Sequence, residues 1–174
     1  MTAHLRRLVL LVVPALLLAS CGGSPQPISR SGNYQLTLST DATQYAPNQP
    51  IAAVAELVYL GTEDRVVVGN LWPGVIGFGL RQLDGTVRVD PAWHLQCLPF
   101  ELRRNRTRRQ SFNKSGVAGE ATNASFYSSF VDDSQLRLPA GRWELYAMAD
   151  LAPVGQMDCQ EDITLRASTQ ITVR

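Results

Sequence analysis

The stretch IAAVAELVYLG, residues 51–61, decides the fold, because its apolar residues recur at every second position. Glu56 falls on the opposite side from that apolar row, which comprises Ile51, Ala53, Ala55, Leu57 and Tyr59. A β-strand with one face on a core and the other in water has this period of two. The stretch YQLTLST, residues 34–40, repeats the pattern, so the chain is predicted to begin its folded part with two such strands.

The rest of the chain carries more segments of the same kind. VIGFGLRQLDGTVRV, residues 75–89, predicts a hairpin in which Asp84-Gly85 adopts the positive φ angles of a two-residue turn. Gly77 and Gly79 share one face of it and predict a bulge or a close approach of another backbone. Further strands are predicted in residues 124–133, 136–151 and 162–174. Seven or more short strands with little helical periodicity indicate an all-β fold, an antiparallel β-sandwich.

Two segments resemble immunoglobulin-like domains of bacteria. YAPNQPIAAVAELVYLG, residues 45–61, is similar to a strand pair of those domains, and LPAGRWELYAMADL, residues 138–151, to one of their hairpins. GFGLRQLDG, residues 77–85, resembles an internal hairpin of the BsuPI-like group, the intracellular proteinase-inhibitor type. The resemblance implies an immunoglobulin-like sandwich over residues 33–174, with an irregular insertion at about 91–122. By fold analogy it also raises a protease inhibitor as an alternative function.

The first twenty residues have the parts of an export signal. Arg6 and Arg7 precede an apolar run over residues 8–18, and small residues follow at Ala19 and Ser20. The alternative is an ordinary secretory signal in which the next residue, a cysteine, is incidental.

The tetrad Leu18-Ala19-Ser20-Cys21 resembles a bacterial lipobox. The resemblance implies a lipoprotein signal peptide at residues 1–20, cleavage before Cys21, and acyl chains on Cys21 that hold the protein at a membrane. Gly22 after that cysteine implies the outer membrane where the organism has two membranes. Residues 21–32, rich in Gly, Ser and Pro, are predicted to be a flexible tether.

Charge and motif content argue against several function classes. The chain has 16 basic and 15 acidic residues, and loss of Arg6 and Arg7 with the signal would leave a net charge of −1, which gives nucleic-acid binding no support. No Gly-rich phosphate loop opens a helix, so no cofactor is predicted. His94 would be the one histidine left after cleavage, and no Gly-x-Ser-x-Gly elbow is present. We therefore predict a protein that is not an enzyme.

Two cysteines remain once Cys21 is set aside. Cys97 and Cys159 are predicted to form a disulfide, because exported proteins meet oxidising conditions. Two separate thiols are one alternative. A Cu(I) site is another, since soft or borderline ligands occur at His94, Cys97, Met157 and Cys159.

Five arginines crowd into seven residues. They are Arg103, Arg104, Arg106, Arg108 and Arg109. Guanidinium groups form bidentate contacts with phosphates, so this segment predicts an anionic partner, either lipid headgroups or a phosphate-rich envelope polymer. The alternative is a solvated loop. Together these features predict a lipid-anchored extracytoplasmic binding or structural module of the bacterial envelope, whose protein partner the sequence leaves open.

Overall fold

The computed structural model describes residues 27–92, 97–120, 122–153 and 163–174. They form twelve strands, one α-helix and a single 3₁₀ turn at Pro73–Val75. The strands are β1 (Ile28–Ser31), β2 (Tyr34–Thr40), β3 (Gln44–Tyr45), β4 (Ala53–Tyr59), β5 (Arg65–Asn70), β6 (Gly77–Gln82), β7 (Arg88–Asp90), β8 (Leu98–Arg103), β9 (Thr107–Ser111), β10 (Val117–Ala118), β11 (Gly141–Pro153) and β12 (Ile163–Val173). The helix α1 spans Ala124–Asp132. None of the helices in the described ranges is long and apolar enough to cross a membrane.

The strands form two sheets packed face to face. The smaller sheet has the order β1-β2-β4-β9. The larger sheet has the order β10-β7-β6-β11-β12-β3, and β5 joins it by pairing with β11 and with β8. The β3–β12 pair is parallel, and all the other strand pairs of the two sheets are antiparallel. The predicted all-β sandwich is confirmed.

The alternation of apolar residues gives the smaller sheet its inner face. Along β4 the odd-numbered residues are buried, and the even-numbered ones are half-buried on the outer face. In register with β4, the β2 residues Leu36 and Leu38 lie opposite Leu57 and Ala55. All four are fully buried against the larger sheet, so the period of two read in the sequence is the period of the core.

A long hairpin forms the centre of the larger sheet. β11 pairs with β12 over eleven positions, from Gly141 opposite Val173 to Leu151 opposite Ile163. Trp143, Leu145 and Ala147 of β11 point inward and have no exposed surface.

The two glycines of β6 make room for aromatic rings on the outer face, and not for the other backbone or the bulge that their pattern predicted. A Cβ at Gly79 would lie 2.3 Å from Cζ of Tyr146, and one at Gly77 would lie 2.7 Å from Cε3 of Trp72. The close approach comes from side chains, which lie flat across the glycine backbone.

The connection between β6 and β7 is longer than predicted. The two strands do pair, but the closing hydrogen bond runs from Gln82 N to Val87 O, which leaves four residues in the turn. Gly85 is not among the glycines with positive φ. The two-residue turn prediction is wrong, because the Asp84 carboxylate accepts a hydrogen bond from Arg142 N across the sheet and this contact fixes a wider turn.

Ala124–Asp132 forms α1, where a strand was predicted over residues 124–133. The Asn123 side chain accepts a hydrogen bond from Phe126 N and begins the helix. Phe126 and Phe130 stack with ring centroids 5.7 Å apart. Residues four apart share a face in a helix and also in a strand, so their spacing did not decide between the two. Lys114 ends the helix by donating to Phe130 O at 2.5 Å and Asp133 O at 2.7 Å.

Two predicted boundaries also change. Residues 28–31 form β1, so the part predicted as a tether over residues 21–32 ends earlier. Residues 91–122, predicted to be irregular, contain β8, β9 and β10. Polar and charged residues dominate β9, and an edge strand of this kind lacks the alternation that identifies a half-buried strand.

We expect Gly79→Ala to lower the free energy of unfolding by about 1–3 kcal/mol, because the new methyl group would overlap the Tyr146 ring. Urea denaturation measures the change. In a Tyr146→Leu background the same substitution should be much milder, since the overlapping ring atoms are gone. An equal loss in both backgrounds would contradict the proposed contact.

Candidate binding surfaces

The arginine cluster lies on a hairpin that crosses from one sheet to the other. β8 pairs with β5 in the larger sheet, whereas β9 pairs with β4 in the smaller sheet. The turn between them contains Asn105 at φ 56° and the exposed Arg106. The five arginines therefore belong to two sheets and the turn that joins them.

Their side chains point in different directions. Arg103 lies on the outer face of the larger sheet and Arg109 on the outer face of the smaller sheet, so the two are on opposite sides of the sandwich. Three of the five are ion-paired within the domain: Arg103 with Glu101 at 2.9 Å, Arg104 with Asp64 at 2.7 Å, and Arg109 with Glu56 at 3.8 Å. The structure does not bring the five together on one surface.

Arg108 points inward at the edge of the smaller sheet. Its guanidinium lies 5.4 Å from the centroid of the Phe100 ring, on the strand that edges the larger sheet. An inward-pointing charge on an edge strand discourages pairing with another chain, and the guanidinium also covers an aromatic ring of the core.

The other predicted site residues fall mostly outside the described residues. These are Cys21, His94, Met157 and Cys159. Cys97 is described and is half-buried. Its pairing with Cys159 stays a prediction, and so does the Cu(I) alternative. Within the described ranges no three His, Cys, Asp or Glu side chains are grouped as metal ligands.

A second group of arginines lies on the outer face of the larger sheet. We call it the arginine platform, and it consists of Arg81, Arg88, Arg142 and Arg166, on β6, β7, β11 and β12. Arg81 is directly opposite Arg88 on one side and Glu144 on the other. Alternation places the platform on the face opposite the core residues Leu80, Val89 and Trp143.

Carboxylates hold these arginines from beneath. Glu144 Oε2 accepts from Arg81 Nε at 2.5 Å and from Arg166 Nη2 at 3.3 Å. Asp90 pairs with Arg88 Nε at 2.8 Å, and Asp84 lies 3.8 Å from Arg142 Nε.

The cations are more exposed than the anions. The four arginine side chains are 44–65% exposed, against 9% for Glu144, 31% for Asp90 and 38% for Asp84. Among the ion-paired groups of this face, the guanidinium groups are therefore the more exposed.

Tyr146 forms the base of the platform. Its ring lies over Gly79, and the Arg166 guanidinium stacks on it at 4.3 Å from the centroid. The hydroxyl donates to Asp90 Oδ1 at 2.6 Å. Burial raises the pKa of the Tyr146 hydroxyl, and the Asp90 carboxylate raises it further. Tyr146 thus stays neutral and ties Arg166 to the Arg88–Asp90 pair.

A buried carboxylate lies further along the same face. Asp150 is 3% exposed, and its Oδ2 accepts from Trp72 Nε1 at 2.9 Å. Its Oδ1 has no hydrogen-bond partner among the described residues. Burial raises the pKa of this carboxyl above its ordinary value. A charged carboxylate in this position reduces stability.

Sequence reasoning missed the platform because its residues are spread from position 81 to position 166. A signal was present, since Glu144 and Tyr146 alternate with the apolar Trp143, Leu145 and Ala147 and so belong to the outward row of one strand. Which strands lie beside that row depends on the topology of the sheet, which the pattern does not contain.

Comparison with known proteins identifies no family. No family model and no curated protein matches the sequence. Among solved structures, a β-glucosidase from Listeria innocua in complex with gluconolactone is similar over 80% of this chain, with 10% identity and a TM-score of 0.35. The chain spans 16% of that protein's length.

We expect Asp150→Asn to change how stability depends on pH. Because burial raises the pKa of Asp150 above 3.8, the folded state holds this proton at pH values where the unfolded state has lost it. The resulting stabilisation is complete below the unfolded pKa and is lost as the pH rises through the folded pKa. The free energy of unfolding of the native sequence should therefore fall relative to Asp150→Asn as the pH rises from about 4 towards 7, in urea titrations at each pH. A difference that stays constant, or that grows with pH, would contradict the assignment.

Proposed function

We propose that this protein is a lipid-anchored, extracytoplasmic binding or structural module of the bacterial cell envelope, with no catalytic role. The observation that carries the proposal is the tetrad Leu18-Ala19-Ser20-Cys21 behind a positively charged start and an apolar run. Acyl chains on one cysteine give stable attachment without a membrane-spanning segment, because each buried CH₂ contributes about 0.8 kcal/mol and two or more chains are enough.

The position of the first strand supports a short attachment. β1 begins at Ile28, seven residues after Cys21. A fully extended chain of that length spans at most about 25 Å, so the domain would stay close to the bilayer surface. By resemblance, Gly22 after the acylated cysteine favours the outer membrane in an organism with two membranes.

A disulfide between Cys97 and Cys159 belongs to the same proposal, because it requires an oxidising compartment. Cys97 immediately precedes β8, and Cys159 follows β11, which ends at Pro153. β5 lies between β8 and β11 and pairs with both of them, so the described strand that leads towards Cys159 is two strands away from the strand that follows Cys97. The chain-entropy model gives about 4 kcal/mol for closing so long a loop.

We expect the mature protein from a bacterial host to begin at Cys21 and to carry the mass of its acyl chains, as read by mass spectrometry. Cys21→Ser should abolish the added mass and move the protein from the detergent phase to the aqueous phase in detergent partitioning. Cys97→Ser is the matched control and should keep both properties. A mature protein that starts elsewhere and has no acyl mass would overturn the anchor.

We expect thiol titration of the exported protein, unfolded but not reduced, to find no free thiol at Cys97 or Cys159. Reduction should expose two, and Cys97→Ser together with Cys159→Ser should lower the free energy of unfolding by about 2–5 kcal/mol. Two free thiols before reduction would contradict the disulfide and would favour the Cu(I) alternative.

A further inference from the structure

We propose that the arginine platform is the face through which the domain docks on anionic phospholipid headgroups of the membrane that holds its anchor. The proposal rests on the proposed lipid anchor and adds a second, protein-based contact to it. It assigns a role to Arg81, Arg88, Arg142 and Arg166, which lie apart from the cluster that stands out in the sequence.

Three of the platform arginines face their carboxylates through the same guanidinium nitrogen. In Arg81, Arg88 and Arg142 the nitrogen that faces the carboxylate is Nε. The two Nη nitrogens of each form the fork that makes bidentate contacts with a phosphate. The carboxylates therefore contact these side chains at Nε, and the side chains remain 53–65% exposed.

The placement of Arg81 opposite Arg88 goes against the usual rule for strand pairs. Like charges directly opposite each other in an antiparallel pair reduce stability. Glu144 and Asp90 offset that repulsion from beneath, but both anions are less exposed than the cations above them. An arrangement that concentrates cations outward at a local cost in stability is typical of a binding surface.

The entry point of the chain favours headgroups of the anchoring membrane as the occupant. Ser29 Oγ accepts a hydrogen bond from Arg166 N at 3.2 Å, so the tether joins the domain at the edge of the platform. Ser29 is eight residues from Cys21, a distance of at most about 28 Å. Once the acyl chains are inserted, the platform would lie within reach of the headgroups. Arginines close to an anionic membrane surface are attracted to it, and this attraction falls off within a Debye length.

The other broad face of the sandwich offers less to an anionic surface. The outward positions of the smaller sheet carry Arg30 and Arg109, with Glu56 between them, and otherwise residues such as Thr37, Ser39 and Val54. Of the two faces within reach of the tether, the larger sheet therefore presents more exposed guanidinium groups.

The test uses the unacylated protein, Cys21→Ser, so that its outcome does not depend on the anchor. Cosedimentation is measured with vesicles of 30% phosphatidylglycerol in phosphatidylcholine, and with vesicles of phosphatidylcholine alone, at low salt. We expect binding to the anionic vesicles only, and its loss in 0.5 M salt. The substitutions Arg81→Gln, Arg88→Gln, Arg142→Gln and Arg166→Gln together should weaken binding about tenfold or more.

Two further variants keep the result interpretable. Removing both partners of Glu144 leaves a buried charge unpaired and threatens the fold, so Arg88→Gln with Arg142→Gln is tested separately and should weaken binding about threefold with unchanged thermal unfolding. The matched control for this double variant, the cluster variant, replaces Arg106 in the turn and Arg109 on the smaller sheet by Gln and should bind as the native sequence does. Equal binding by the platform variants and the native sequence, or loss of binding in the cluster variant alone, would overturn the proposal. So would binding of soluble polyphosphate through the platform with no binding to vesicles, which would identify a free phosphate polymer as the ligand instead. A missing acyl group on Cys21 would remove the anchor and leave this measurement intact.

Discussion

The antiparallel pairing of β11 with β12 is the constraint on which the other features depend. It runs over eleven register pairs, and β11 also pairs with β6 and β5. Each residue of this hairpin is assigned to one face by the pleat. One row, which includes Trp143 and Leu145, is fully buried against the smaller sheet. The other row, which includes Glu144 and Tyr146, organises the arginines of the outer face. A shift of one residue in register would exchange the two rows, so core and platform are set by the same pairing.

The two arginine groups show how little proximity in sequence says about proximity in space. Arg103 and Arg109 are six residues apart, yet they lie on opposite faces, because the hairpin between them passes from one sheet to the other. Arg81 and Arg166 are 85 positions apart in the numbering, yet they contact the same oxygen of Glu144. In a sandwich, residues on neighbouring strands of one face form a surface, whereas a run of charges on an edge hairpin is divided between faces. The run stands out in the sequence, but the topology decides which charges act together.

The sequence predicted the parts of the fold that depend on local pattern. Alternation identified β2, β4, β6, β11 and β12, whereas the glycines of β6 accommodate side chains instead of the predicted backbone or bulge. Alternation failed where both faces of a strand are polar, as in β9, and where a spacing of four fits a strand and a helix equally, as with Phe126 and Phe130. The cap at Asn123 was the local signal that could have separated those two. The platform was beyond sequence reasoning, because strand order in a sheet is a long-range property that no window of residues contains.

On the outer face of the larger sheet, the same side-chain contacts affect both stability and the proposed binding. On the edge strand β8 they do not. Glu144 and Tyr146 are buried although they point away from the core, and the guanidinium of Arg166 is part of what covers them. Removing a cation here exposes an aromatic ring and leaves a buried carboxylate less compensated, and this penalty is larger than that of breaking an exposed ion pair. Arg103 with Glu101 on β8, by contrast, is an exposed pair whose loss changes little in the fold. The fold therefore constrains Arg81 and Arg166, the partners of the buried Glu144, more tightly than the arginines of the cluster. Because the same contacts hold the guanidinium groups in a fixed orientation, a ligand that binds them meets side chains whose conformational entropy has already been lost on folding.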